Sequence, residues 1–233
     1  QGEGGSVKSS FSTGDVTAPS AGRVGGLIGY NRHSKVVNSS ASGSITGNVS
    51  VGGLIGTNSI TDDRGSSTVK RSYATGDVDG TIGVGGLIGG NRDGTVTNSY
   101  STGDVEGDTH VGALVGGSGG YGISTIKNSY ATGEVIGDSK VGGIVGELNA
   151  QTYNDESILR NSYWNKDTTG QSDGVGNRLP REGEITVEGV EGLITTEMQG
   201  ESPASTMSAL DFAETWTLAI NPDGYPVLAW QTG

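Results

Sequence analysis

A six-residue block recurs along this chain and fixes what it can become. It reads VGGLIG at Val24–Gly29, Val51–Gly56 and Val84–Gly89, then VGALVG at Val111–Gly116 and VGGIVG at Val141–Gly146. A second block alternates with it: VKSSFSTGDV from Val7, VVNSSASGSI from Val36, VKRSYATGDV from Val69, VTNSYSTGDV from Val96 and IKNSYATGEV from Ile126. A degenerate copy, LRNSYWNKDT, starts at Leu159. The spacing of about 27 to 33 residues is that of a solenoid, in which one supersecondary unit per repeat stacks on the next. Most of the length variation falls after the first block, as in Thr57–Thr68 and Gly117–Thr125. These segments are rich in Gly, Ser, Asn and Asp and read as loops confined to one face.

Each block has the alternation of a strand. In VKRSYATGDV, Val69 points in and Lys70 out, and a bend at Arg71 resets the phase. Ser72, Ala74, Gly76 and Val78 then share the inner face, while Tyr73, Thr75 and Asp77 share the outer one. In VGGLIG the valine and leucine are expected inside, with a bend at the paired glycines. Helix is excluded by glycine, which costs about 1 kcal/mol at each helical position and makes up 44 of the 233 residues. The apolar share of 31% is low. Small inward side chains nevertheless suit coils that stack closely, because a stack buries the face that a single repeat cannot.

The expected architecture is therefore all-β: a parallel β-solenoid of about five coils, taken as right-handed from the usual chirality of parallel connections. Stacking turns equivalent positions into columns about 4.8 Å apart. Phe11, Tyr73, Tyr100 and Tyr130 form an aromatic column, interrupted by Ser40. Thr75, Thr102 and Thr132 belong to a hydroxyl column, and Asp15, Asp77, Asp104 and Glu134 to a carboxylate column. Tyr73, Tyr100, Tyr130, Thr75, Thr102 and Thr132 are the candidate binding residues, as an exposed aromatic and hydroxyl face suited to a cell-surface glycan or a host or neighbour-cell protein. Asp77, Asp104 and Glu134 are the candidate metal ligands, since a hard cation such as calcium would relieve the repulsion of stacked carboxylates.

Other chemistries find less support. The formal charge of −12 disfavours nucleic acid. The absence of cysteine excludes disulfides and thiolate metal sites. No apolar stretch is long enough to span a bilayer. The only histidines, His33 and His110, lie in different repeats and outside any HExxH pattern. A carbohydrate-active enzyme fragment is the alternative, given carboxylates in register. However, a column of near-identical acids lacks the unlike environments of an acid and base pair, so the chain is expected not to be an enzyme and to need no cofactor other than a candidate calcium.

The two blocks together resemble the GLUG repeat, whose Gly-Leu-hydrophobic-Gly core stands here at Gly26–Gly29, Gly53–Gly56 and Gly86–Gly89. The resemblance covers roughly Val7 to Trp164. The pieces NSYWNKDTTGQS, GLITTEMQ and GYPVLAW are similar to segments that follow such arrays. Copy two departs from the pattern at Ser40 and Ser44, and the last copy carries Trp164 in place of Ala. The resemblance implies an extracellular segment of a secreted or cell-surface, adhesin-like protein serving attachment or spacing.

The bulky Trp164 at a small inward position sets the expected boundary: solenoid over 1–164, then a C-terminal capping module over 165–233. In the module, Thr196 followed by Gln199 reads as a capping box at a helix start, a short helix is expected around Ala209–Thr215, and a last strand over Tyr225–Trp230. Leu210, Phe212, Trp216, Leu228 and Trp230 would cover the solenoid's end. Beginning at Gln1 in mid-coil, the chain reads as an excised piece, with an open first coil that invites end-to-end self-association.

Overall fold

The structure, a computed structural model, describes residues 4–60, 67–219 and 224–232. Part of the Thr57–Thr68 insertion therefore lies outside the described residues. Each repeat makes one turn of a parallel solenoid, and its strands distribute over three sheets of twelve, eight and six strands. The third coil shows the plan. Thr68–Lys70 and Tyr73–Ala74 lie in the first sheet, Val78–Asp79 and Ile82–Gly85 in the second, and Ile88–Arg92 in the third.

Register is strict from coil to coil. Val7, Val36, Val69, Val96, Ile126, Leu159 and Val187 form one continuous column. The expected alternation holds: Ser72, Ala74 and Val78 are buried, while Thr75 and Asp77 are exposed. The bend after Val69-Lys70 is left-handed backbone at every turn, with φ of 50° at Arg71, 51° at Asn98 and Asn128, and 59° at Gly189. Asparagine suits this position because its short polar side chain tolerates that conformation. In the VGGLIG blocks the valine, leucine and isoleucine all enter the core.

Inward serines close the hydrogen-bond account at the bend. Ser72 Oγ donates to Lys70 O and accepts from the Ser39 amide, and Ser99 and Ser129 repeat both bonds. A buried amide ladder runs inside the third sheet, from Asn31 Nδ2 to Asn58 Oδ1 (2.7 Å) and from Asn58 Nδ2 to Asn91 Oδ1 (2.8 Å). These bonds make a polar interior tolerable, since the buried serine hydroxyls and ladder amides named here find partners.

The solenoid is longer than the sequence suggests. Val175–Pro180 pairs in parallel with Val145–Ala150, and Glu184–Leu193 pairs with Glu156–Asn165. The coils therefore number six, with a seventh rung on the first sheet, and the ladders end at Leu193 rather than near residue 164. Trp164 does not break the stack. It pairs between Ala131 and Gly192, and its indole occupies the space left by Gly143, Gly174 and Gly192. Its Nε1 donates to Gln171 O at 2.9 Å. A bulky residue at a small position is accommodated because its neighbours are smaller still.

Two helix expectations shift. The helix at Thr195–Met198 starts from Ile194, whose amide donates to Glu197 Oε2 at 2.9 Å, so Glu197 plays the part assigned to Gln199. The other helix is Pro203–Thr206, with proline in its first turn, not Ala209–Thr215. Asp211 instead organises a turn, its Oδ1 accepting from the Ala213 and Glu214 amides. The final strand is limited to Val227–Leu228, antiparallel to Trp216–Thr217, and a 3-10 turn follows at Ala229–Gln231.

The C-terminal segment lies along the flank of the solenoid. Met198, Met207, Leu210, Trp216 and Leu228 pack on the tyrosines of the first sheet as a second core. Trp230 reaches back to the early coils, 6.0 Å from Phe11 and 5.8 Å from Tyr73 between ring centroids, and its Nε1 donates to Arg71 O. The bulky residues thus cover the side of the array and not its end. At the first coil, Val7, Val16, Leu27 and Ile28 remain only half-buried.

Candidate functional site

The columns expected to form the site are present in register but not as an exposed face. Tyr73 and Tyr100 stack at 4.9 Å with rings 3° apart, and Tyr100 and Tyr130 at 5.0 Å and 2°. Tyr100 is 4% exposed and Tyr130 0%. Tyr130 Oη donates to Pro226 O at 2.6 Å, and Trp216 lies 5.5 Å from its ring. Burial pushes both phenols well above the ordinary tyrosine range. Tyr73 is half-buried beside Trp230. In the hydroxyl column Thr75 is exposed, Thr102 half-buried and Thr132 buried. The aromatic column is thus a docking surface for the chain's own C-terminal segment.

Asp77, Asp104 and Glu134 are exposed as expected. Yet a carboxylate here binds the backbone of the next coil. Asp15 Oδ1 accepts from the Ser44 amide, Asp77 Oδ1 from Asp104 and Asp104 Oδ1 from Glu134, at 2.8 to 3.0 Å. The acids run beside a shallow depression of about 280 Å³. Among the described residues, no group of three or more His, Cys, Asp or Glu side chains is arranged to hold a metal ion.

A different face carries a groove of about 950 Å³ crossing coils two to five. It lies where the second sheet bends into the third. Two outward positions flank that bend, one just before each VGGLIG-type block and one just after. The first is Arg23, Ser50, Gly83, His110 and Lys140. The second is Tyr30, Thr57, Gly90, Gly117 and Glu147, paired in register with Asn177 after it. In coil one the two positions are filled by Arg23 stacked on Tyr30, 4.6 Å from the ring centroid. In coil five they are filled by Lys140 and Glu147, paired at 2.7 Å. Between these ends the side chains shrink to Gly83, Gly90 and Gly117, and the groove opens there.

Backbone needs do not explain these three glycines. Gly83 is left-handed at φ 70°, but Arg23, Ser50, His110 and Lys140 adopt the same bend at 55° to 61°. A Cβ on Gly117 would meet nothing within 4 Å, and one on Gly90 would come no closer than 3.7 Å to Ser50 Oγ. Inside the stack the opposite holds: a Cβ on Gly86 would lie 2.2 Å from Ala113 O.

The rims are apolar. Val49 and Ile82 stand exposed on one side, and Tyr121, 75% exposed, with Ile123 on the other. The Tyr121 rim is held by Asp93, whose carboxylate accepts from the Tyr121 and Gly122 amides, and whose pKa burial raises. At the far end, His110 Nε2 lies 3.3 Å from Glu147 Oε1, and Asn177 Nδ2 donates to Glu147 Oε2 at 2.7 Å. Burial lowers the His110 pKa. At Glu147 burial acts upward, but Lys140, Asn177 and His110 together outweigh it and hold the carboxyl below its usual range. Sequence reasoning passed over this face. The signal for it is the one position after each block that changes at nearly every turn.

The GLUG motif model matches at residues 20–46, 80–106 and 107–136. A segment of 81 residues, 32% of the chain, is 38% identical to halomucin of Haloquadratum walsbyi, and the match spans about 1% of that protein's length. Among solved structures, a "putative immunoglobulin A1 protease" from Bacteroides ovatus superposes with a TM-score of 0.59 at 15% identity. It covers 94% of this chain and 74% of that one, a likeness of fold. Repeat pattern, register and motif agree: the chain is a parallel β-solenoid that carries the GLUG motif at three places along its length.

Proposed function

We propose that the chain is an extracellular segment of a secreted or cell-surface protein, which spaces and attaches, and that its glycine-floored groove is where attachment occurs. The observation carrying this is the local loss of side chains at Gly83, Gly90 and Gly117 on an otherwise filled face, where neither backbone conformation nor packing calls for glycine. A groove kept open inside a rigid repeat is a site for a ligand. The continuous ladders supply a stiff support, and the GLUG motif and the halomucin-like stretch support a place outside the cell. The paired charges at the groove's end suit binding, with no reactive group left singular.

The test is retention under flow. Beads coated with the chain are passed over cells or immobilised surface polymer, beside beads carrying Gly90→Val/Gly117→Val. Attachment predicts retention by the native chain and its loss in the filled variant. A chain serving only as spacer, the reading that the unbroken ladders favour, predicts equal passage of both.

A further inference from the structure

Resting on that reading of the groove, we propose that its ligand is an uncharged oligosaccharide lying along the solenoid axis. Three features select this class. First, the floor offers no free backbone. Ile88–Arg92 and Val115–Gly119 are paired in parallel on both sides, so an extended peptide would find no amide or carbonyl ladder to join. Recognition falls to side-chain oxygens and rim surfaces.

Second, the groove combines apolar walls with polar side chains. The Tyr121 ring, Ile123, Ile82 and Val49 offer flat or branched apolar area of the kind that packs on the carbon faces of sugar rings. Between these walls the lining carries polar side chains, among them Ser50, Gln151 and Arg92. A polyhydroxylated chain brings donors at close intervals along its length. The groove spans three inter-coil steps of about 4.8 Å, roughly 14 Å, which is room for several linked rings and more than one ring needs.

Third, the charges are already matched. Glu147 is neutralised by Lys140 at 2.7 Å and contacted by His110, and Asp93 is committed to the rim amides. Arg92, the exposed cation of the lining, stands near Asp93, whose carboxylate its charge stabilises. The chain's charge of −12 also repels polyanions.

The test is isothermal titration of the whole chain with neutral tetra- to hexasaccharides (glucose, mannose and N-acetylglucosamine oligomers), beside uronate oligomers and a peptide library. The expected result is saturable binding of a neutral oligomer at micromolar to millimolar Kd. Binding should weaken by about tenfold or more in Gly90→Val/Gly117→Val and severalfold in Tyr121→Ala, with melting temperatures no lower than native. Gly117→Val alone is the second variant, since its added Cβ meets no neighbour. No binding by any neutral oligomer, or equal binding by the filled variants, overturns the proposal. Preference for uronates or peptides, lost on filling, overturns the neutral-sugar class and leaves attachment through the groove standing. Bead retention that free neutral sugar does not compete has the same meaning.

Discussion

The aromatic flank and the glycine groove lie on opposite uses of the same repeat. On the first sheet, equivalent positions carry Phe11, Tyr73, Tyr100, Tyr130 and Tyr163, and the C-terminal segment covers most of them. Beside the third sheet, equivalent positions carry Arg, Ser, Gly, His and Lys, or Tyr, Thr, Gly, Gly and Glu, and an open groove remains. A repeated large side chain marks a surface the protein covers itself. A position that varies from turn to turn is free of the stacking rule and available for recognition.

The largest separation between the two regions should appear on truncating an aromatic. Tyr130→Ala removes a fully buried ring and its bond to Pro226, and should cost about 3–5 kcal/mol in denaturant unfolding. Thr75→Ala, exposed on the same face, should stay within about 0.5 kcal/mol. Similar losses at both would dissolve the distinction between covered and open positions.

Glycines sharpen it next. Gly86→Ala drives a Cβ toward Ala113 O and should destabilise by about 1–3 kcal/mol or more. Gly117→Ala should change unfolding by less than about 0.5 kcal/mol, although both glycines sit in the same kind of coil.

A smaller effect comes from the groove's charged end. Glu147 has a depressed folded pKa, so its contribution is present above the unfolded value near 4.5 and is lost as pH falls through the folded one. His110 also has a depressed folded pKa. Its share therefore declines as pH drops from about 6.5, where the unfolded chain takes up the proton first. Thermal unfolding followed from pH 8 to pH 3 should show stability falling on acidification, with the lower step missing in Glu147→Gln. The carboxylate column should give the smallest effect. Asp104→Ala loses one exposed bond to the Glu134 amide, about 0.5–1.5 kcal/mol, and chelator should leave the native melting temperature unmoved.

The solenoid was legible because its signal is redundant: alternation in VKRSYATGDV placed Ser72, Ala74 and Val78 inside, and repetition set the register. The last turn was not, because Val175–Pro180 and Glu184–Leu193 keep the pairing while losing the motif, and because Trp164 is judged too large until the three glycines around it are seen together. The aromatic column was read correctly as a stack. Its burial depends on a segment that is distant in sequence and carries no periodicity. The groove was missed because its signal is an absence of side chains, hidden in a chain where glycine is everywhere and mostly required by close packing.

The most direct measurement takes Gly90→Val/Gly117→Val and the native chain through denaturant unfolding and neutral-oligosaccharide titration in the same preparations. The account predicts a stability equal to or above native, since a β-branched residue replaces glycine in a strand, together with lost binding. A fall of about 2 kcal/mol or more would show that these glycines are structural, and binding at native strength would show that the groove is not the site.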